Sequence, residues 1–151
     1  MKTVLLLVLV GLAIGFPAPT LAQEQKAGDS DVRQKIEVVM MKFVEAYNNR
    51  DVAAISALHT QDAVEVRAAG GSTRGGTFCG RQAIEKMFAA DFASNPPKLV
   101  SELVQMYAID ENNICAIANR SAGMWKAYTV SAYVRALDGT WKVHMTYVNP
   151  L

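Results

Sequence analysis

From Lys98 onward apolar and polar residues alternate in four runs, Lys98–Ile109, Asn113–Ser121, Lys126–Leu137 and Thr140–Val148. A period of two is the mark of strands with one buried face. Turn chemistry separates the runs: Asp110-Glu111-Asn112-Asn113, then Ala122-Gly123, then Asp138-Gly139. Asp-Gly between alternating runs predicts a hairpin with a type I′ turn, whose central residues need positive φ. Four consecutive long strands make an antiparallel sheet, and its apolar face needs a cover.

Upstream the period lengthens to that of a helix. Val32, Ile36, Val39, Met40, Phe43, Val44 and Tyr47 form one apolar stripe, with Arg33, Lys35, Glu37, Lys42 and Glu45 opposite. The first helix is expected to start at the cap signal Asp29-Ser30-Asp31 and to end near Asn48. Asp51 then caps a second helix, Val52–His59, and a short strand Ala63–Arg67 follows. Ala68–Gly80 carries five glycines but no Gly-Lys-Ser/Thr ending, so it reads as a mobile flap and not as a phosphate loop. A third helix, Arg81–Phe92, turns Ile84, Met87, Phe88 and Phe92 inward until Asn95-Pro96-Pro97 stops it. Helices first and strands afterwards indicate an α+β fold with the helices on one face of the sheet.

The N-terminus follows a different logic. A basic Met1-Lys2-Thr3, an apolar run from Val4 to Phe16 and small residues at Thr20-Leu21-Ala22 predict a signal peptide over residues 1–22. The run is well short of the roughly 20 residues that span a bilayer. Export to the periplasm or medium is therefore expected, with Gln23–Asp29 a flexible tether and residues 30–151 one domain. The chain holds 15 basic and 14 acidic residues, and one of the basic ones, Lys2, lies in the leader. Near-zero net charge removes any long-range attraction for nucleic acid or, after cleavage, an anionic membrane. An oxidising compartment allows Cys79 and Cys115 to pair, with two buried thiols as the simpler reading. His59 and His144 show no ligand spacing with either cysteine, so no metal and no cofactor is expected.

Four stretches carry a resemblance. Phe43–Asp51 (FVEAYNNRD) closes the first helix, and Leu58–Val64 (LHTQDAV) enters the first strand. Cys79–Ile84 (CGRQAI) opens the third helix, and Asp138–Val143 (DGTWKV) makes the last hairpin. In this order they resemble the nuclear transport factor two-like superfamily, across Asp31–Asn149. That superfamily includes ketosteroid isomerases, SnoaL-like polyketide cyclases and the association domain of calcium/calmodulin-dependent kinase II. The resemblance implies a cone: a curved antiparallel sheet wrapped around three N-terminal helices, with a pocket at its open end. The isomerases of the family use a carboxylate base after the first strand, a tyrosine in the first helix and a protonated aspartate on a late strand. Those positions fall here on Arg67, Phe43 and Ala132, so that constellation cannot abstract a proton. Arg120 matches, in approximate register, a pocket arginine of the kinase association domain.

Alternation then places a concave face. Tyr128, Val130, Ala132 and Val134 share a face on the third long strand, and Trp141, Val143, Met145 and Tyr147 on the fourth. The expected pocket is mostly apolar, with Tyr47, Arg67 and Arg120 as its polar candidates and Arg67 either at the mouth or paired with Glu65 or Asp62. Three functions remain open: an exported protein that binds a small apolar ligand, an enzyme acting on a carbonyl compound, or a non-catalytic homodimerisation domain. For the last, the outward face is expected to carry Thr129, Ser131, Tyr133, Lys142, His144 and Thr146.

Overall fold

The computed structural model describes residues 21–70 and 75–151, so the expected leader, residues 1–22, lies almost wholly outside it. Its elements are α1 (Leu21–Asn48), α2 (Val52–Ala57), β1 (His59–Arg67), β2 (Gly76–Cys79) and α3 (Arg81–Ala93). The long strands β3 (Leu99–Ala108), β4 (Asn113–Ala122), β5 (Trp125–Arg135) and β6 (Trp141–Pro150) follow. They form one curved, unclosed sheet in the order β2-β1-β6-β5-β4-β3, with the helices against its concave side. Every pairing is antiparallel except β1 with β6, which is parallel.

Four expectations shift. The first helix reaches back through Gln23–Asp29, the stretch read as a tether. The second helix ends at Ala57, because His59 already belongs to β1. Part of the glycine-rich stretch is strand: Gly76 to Cys79 pair with Arg67 to Val64, a contact between segments that no local pattern announces. The last hairpin also turns differently. Gly139 N–H donates to Ala136 O at 2.9 Å and Ala136 N–H to Thr140 O at 2.8 Å, and Gly139 alone in the turn has positive φ, +81°. That is a type I turn closed by a left-handed glycine, not type I′. Asp138 instead accepts from Thr140 N–H and Oγ1–H, at 2.9 and 2.6 Å.

The larger correction concerns faces. On β6, Val143 pairs with Tyr133 but Met145 pairs with Ala132, so His144 is an extra residue, a β-bulge. One inserted residue exchanges the two faces of everything beyond it. Trp141 and Val143 are therefore buried before the bulge, and Thr146 and Val148 after it. Met145 and Tyr147 stand outside, 43% and 38% exposed. β5 is turned over along its whole length: Ala127, Thr129, Ser131 and Tyr133 face the helices, and Tyr128 and Val130 face out. Its interior hydroxyls are satisfied locally. Thr129 Oγ1 donates to Ala118 O at 3.3 Å, and Ser131 Oγ pairs with Thr146 Oγ1 at 3.1 Å. The expected concave and outward faces of β5, and of β6 beyond its bulge, are thus reversed.

The core has two parts. One packs Ile36, Val39 and Met40 of α1 on Ile114, Ala116, Tyr133, Trp141 and Val143. The other gathers Phe43, Ile55, Ile84, Met87 and Phe88 where the three helices meet. Asn48 clips the end of α1 to β3, since its side chain accepts from Leu99 N–H at 2.7 Å and donates to Leu99 O at 3.0 Å. At the start of α2 the Asp51 carboxylate accepts from Ala54 N–H at 2.8 Å, the N-cap expected. Asp51→Ala should lower stability by about 1 kcal/mol. Urea unfolding checks this; an unchanged midpoint would show that the cap contributes nothing.

Candidate ligand cavity

Strand alternation on β1 sends Ala63, Glu65 and Arg67 inward, toward the face of α3 that carries Phe88 and Asp91. On β4 the same alternation sends Arg120 and Ala122 inward. Helix α1 adds Phe43 and Tyr47, four residues apart and so on one face. The turn residues Ser94, Pro96 and Pro97, with Leu99, Trp125 and Val148, complete the wall of a cavity of about 340 Å³. Arg50 holds that turn in place by donating to Asn95 Oδ1 and Pro96 O.

Four charged side chains line this space, where a mostly apolar interior was expected. Glu65 is only 2% exposed. Arg67 compensates it: Nε donates to Glu65 Oε1 at 2.7 Å, and Nη1 to Asp91 Oδ2 at 2.5 Å. The same guanidinium lies 5.1 Å from the centre of the Phe88 ring. Burial alone would depress the Arg67 pKa, but the charges of Glu65 and Asp91 and their hydrogen bonds hold it above its ordinary value. Arg120 is placed otherwise. Its guanidinium lies 4.6 Å from the centre of the Phe43 ring, and among the described residues it makes no ion pair. Its Nε is buried without a hydrogen-bond partner, and burial draws its pKa below the ordinary arginine value. The Tyr47 phenol is pushed up, by burial and then by the Asp91 charge, so it stays protonated and able to donate. Phe43, Phe88 and Tyr47 form the aromatic floor, Phe92 packs against the last two, and the contacting ring centres lie 5.1–6.4 Å apart.

Of the residues expected at the pocket, the structure brings together Phe43, Tyr47, Arg67 and Arg120. Trp141 lies instead in the core beside Ile36 and Val39. Tyr128, Met145 and Tyr147 are exposed on the outer face, and Ala132, paired between Cys115 and Met145, shares that face. Sequence reasoning missed Glu65, Asp91 and Trp125 as lining residues. Glu65 could have been found, because it is two residues from Arg67 on one strand. Cys79 and Cys115 are unpaired thiols, and Cys79 is exposed where a buried one was expected. His144 Nδ1 lies 3.0 Å from Thr60 Oγ1 and 3.6 Å from Asp62 Oδ1.

Residues 41–144 match the family model described as SnoaL-like domain. The chain belongs to the SnoaL-like family. Solved structures share its fold. LinA superposes with a TM-score of 0.66 at 13% identity, over 83% of this chain and 90% of that one. A ketosteroid isomerase-like protein from Erwinia carotovora atroseptica gives 0.62 at 12%, over 77% and 93%. An NTF2-like protein of unknown function from Pseudomonas putida gives 0.59 at 21%, over 82% and 87%. Among curated proteins no match is found.

Beneath the cavity of this SnoaL-like domain, His59 packs edge-on to Phe43 and is 2% exposed. Its Nδ1–H donates to Ile55 O at 2.8 Å, since a carbonyl can only accept. Burial lowers the His59 pKa from its ordinary 6.5, against the opposing pull of the Ile55 carbonyl and Glu65. The folded state thus binds this proton less readily than the unfolded chain. Stability from a neutral His59 is full above the unfolded pKa and falls as pH drops below it toward the folded one. His59→Phe should flatten the loss of melting temperature on acidification from near neutrality. An unchanged pH profile in the variant would refute this role.

Proposed function

We propose that this SnoaL-like domain binds a small organic molecule in the cavity between α1, α3 and the sheet. One observation carries the reading: aromatic walls and buried, oppositely charged groups converge on a single hollow of about 340 Å³. An apolar lining with a few placed polar groups is what small-molecule sites share. Membership of a family whose structural relatives include an isomerase-like protein supports it. The leader-like pattern at residues 1–22 supports a place of action outside the cytoplasm.

A second reading is favoured by the presence of Tyr47, from α1, and Glu65, from β1, in the lining of the same cavity. In an isomerase-type enzyme Tyr47 would donate to a substrate carbonyl while Glu65 accepted a proton. Arg67 works against this by occupying Glu65 Oε1, to which its Nε donates at 2.7 Å. Binding without turnover is therefore placed first.

Ala122, 7% exposed and part of the wall, offers the test. Ala122→Phe fills the hollow from one side. Fluorescence titration with anilinonaphthalene sulfonate should show at least about tenfold weaker binding, or roughly 1.4 kcal/mol, with the circular dichroism spectrum kept. Undiminished dye binding would place the site elsewhere.

Self-association is proposed through the outer sheet face. Tyr128, Val130, Met145 and Tyr147 form there an exposed patch on adjacent strands, 47%, 40%, 43% and 38% exposed. The face expected for this role is excluded, because Thr129, Ser131, Tyr133 and Thr146 are interior. A contiguous apolar sheet face suits an isologous contact with a second copy. Analytical ultracentrifugation should find a dimer that Val130→Glu converts to monomer; a wild-type monomer at all concentrations would exclude the contact.

A further inference from the structure

The charges in the cavity do not pair off. Arg67 takes both carboxylates, reaching Glu65 at 2.7 Å and Asp91 at 2.5 Å. Arg120 is left with the face of Phe43, 4.6 Å away, the nearby Tyr133 phenol, and the Glu65 charge acting from beyond ion-pair distance. Its Nε is buried and has no hydrogen-bond acceptor. A guanidinium stays charged in a protein and presents its donors as a rigid planar fork. Leaving a guanidinium N–H buried without an acceptor, as Nε is here, costs more than leaving a neutral amide so. The arrangement is that of a receptor whose counter-ion arrives from outside.

The chemistry of that counter-ion can be narrowed. Arg67 is already engaged by Glu65 and Asp91, which leaves Arg120 as the one of the four charged groups open to a single anion. A dianion such as a phosphate ester would set its second charge in the field of Glu65 and Asp91. A planar monoanion with two oxygens matches the fork. Beside Arg120 the wall is apolar: Ala122 lies two residues along β4, Trp125 pairs with Ala122 across the hairpin, and Leu99 pairs with Ala122 from β3. We propose that the cavity takes a monocarboxylate with a flat apolar body, its carboxylate held by the Arg120 guanidinium and its body against Leu99, Ala122 and Trp125. This rests on the small-molecule reading and names the ligand class for it.

Calorimetric titration of the protein with naphthoate and with its neutral amide, naphthamide, tests it. Naphthoate should bind roughly ten- to a hundredfold more tightly, the size of a charge-assisted hydrogen bond. Arg120→Met should abolish that preference while naphthamide affinity persists. The empty variant should melt no lower than wild type, because it has lost a buried, unpaired charge. Arg120→Lys, which keeps the charge but not the fork, should retain only part of the preference, and it decides the matter if the methionine variant does not fold. Inorganic phosphate should not compete with naphthoate. Equal affinity for the two compounds in wild type, competition by phosphate, or a preference surviving in either variant undiminished would overturn the carboxylate assignment and leave the cavity reading standing. If neither compound binds, both fall.

Discussion

Everything in the cavity is arranged about one cation, Arg67. A carboxylate 2% exposed under a sheet is tolerable only with a partner, because water that would solvate it is gone. Arg67 reaches Glu65 on its own strand and Asp91 on α3, and it lies over Phe88 from the same helix. One side chain therefore neutralises β1, fastens α3 to the sheet and covers an aromatic ring. The same bridge spans the side of the cavity between β1 and α3.

The same logic explains why Arg120 has a different role. It is equally inward, but its neighbours on β4 and β5 are small, Ala118, Ala122 and Ala127, and none offers a carboxylate. Phe43 supplies a π face, worth far less to a desolvated guanidinium than an anion would be. Two arginines on facing strands thus differ because one meets acids supplied by the fold and the other does not.

Much of the architecture was legible along the chain. β3 to β6 begin and end within a few residues of the alternating runs, and the apolar spacing of α3 and the Asp51 cap were plain. These are local signals, set by periodicity and backbone chemistry. What failed were the faces. Nothing in Lys142-Val143-His144-Met145 marks His144 as an inserted residue, since a bulge is defined by the partner strand. On β5 the apolar residues were assigned to the interior by polarity, yet Thr129 and Ser131 are inside because neighbours satisfy their hydroxyls. Hydrophobic patterning cannot foresee that exchange when both faces of a strand are half apolar. The site was partly readable for a related reason. Phe43 and Tyr47 follow from helical spacing, whereas Asp91 enters only once α3 is docked, and Trp125 only once the β4–β5 hairpin is closed.

Arg67 stands where the resemblance of the shared motifs would put a base, and a cation at that point bears on what the cavity can do. A carboxylate base there would be neutralised as it took the proton, and donors elsewhere would stabilise the anion formed. Arg67 is engaged there by Glu65 and Asp91, which leaves Arg120 as the cation without an ion pair among the described residues. Interactions equally strong in ground and transition states increase affinity without increasing turnover. Glu65 could act as a base only by giving up Arg67, its ion-pair partner at 2.7 Å, and that would strip a buried carboxylate of its compensation.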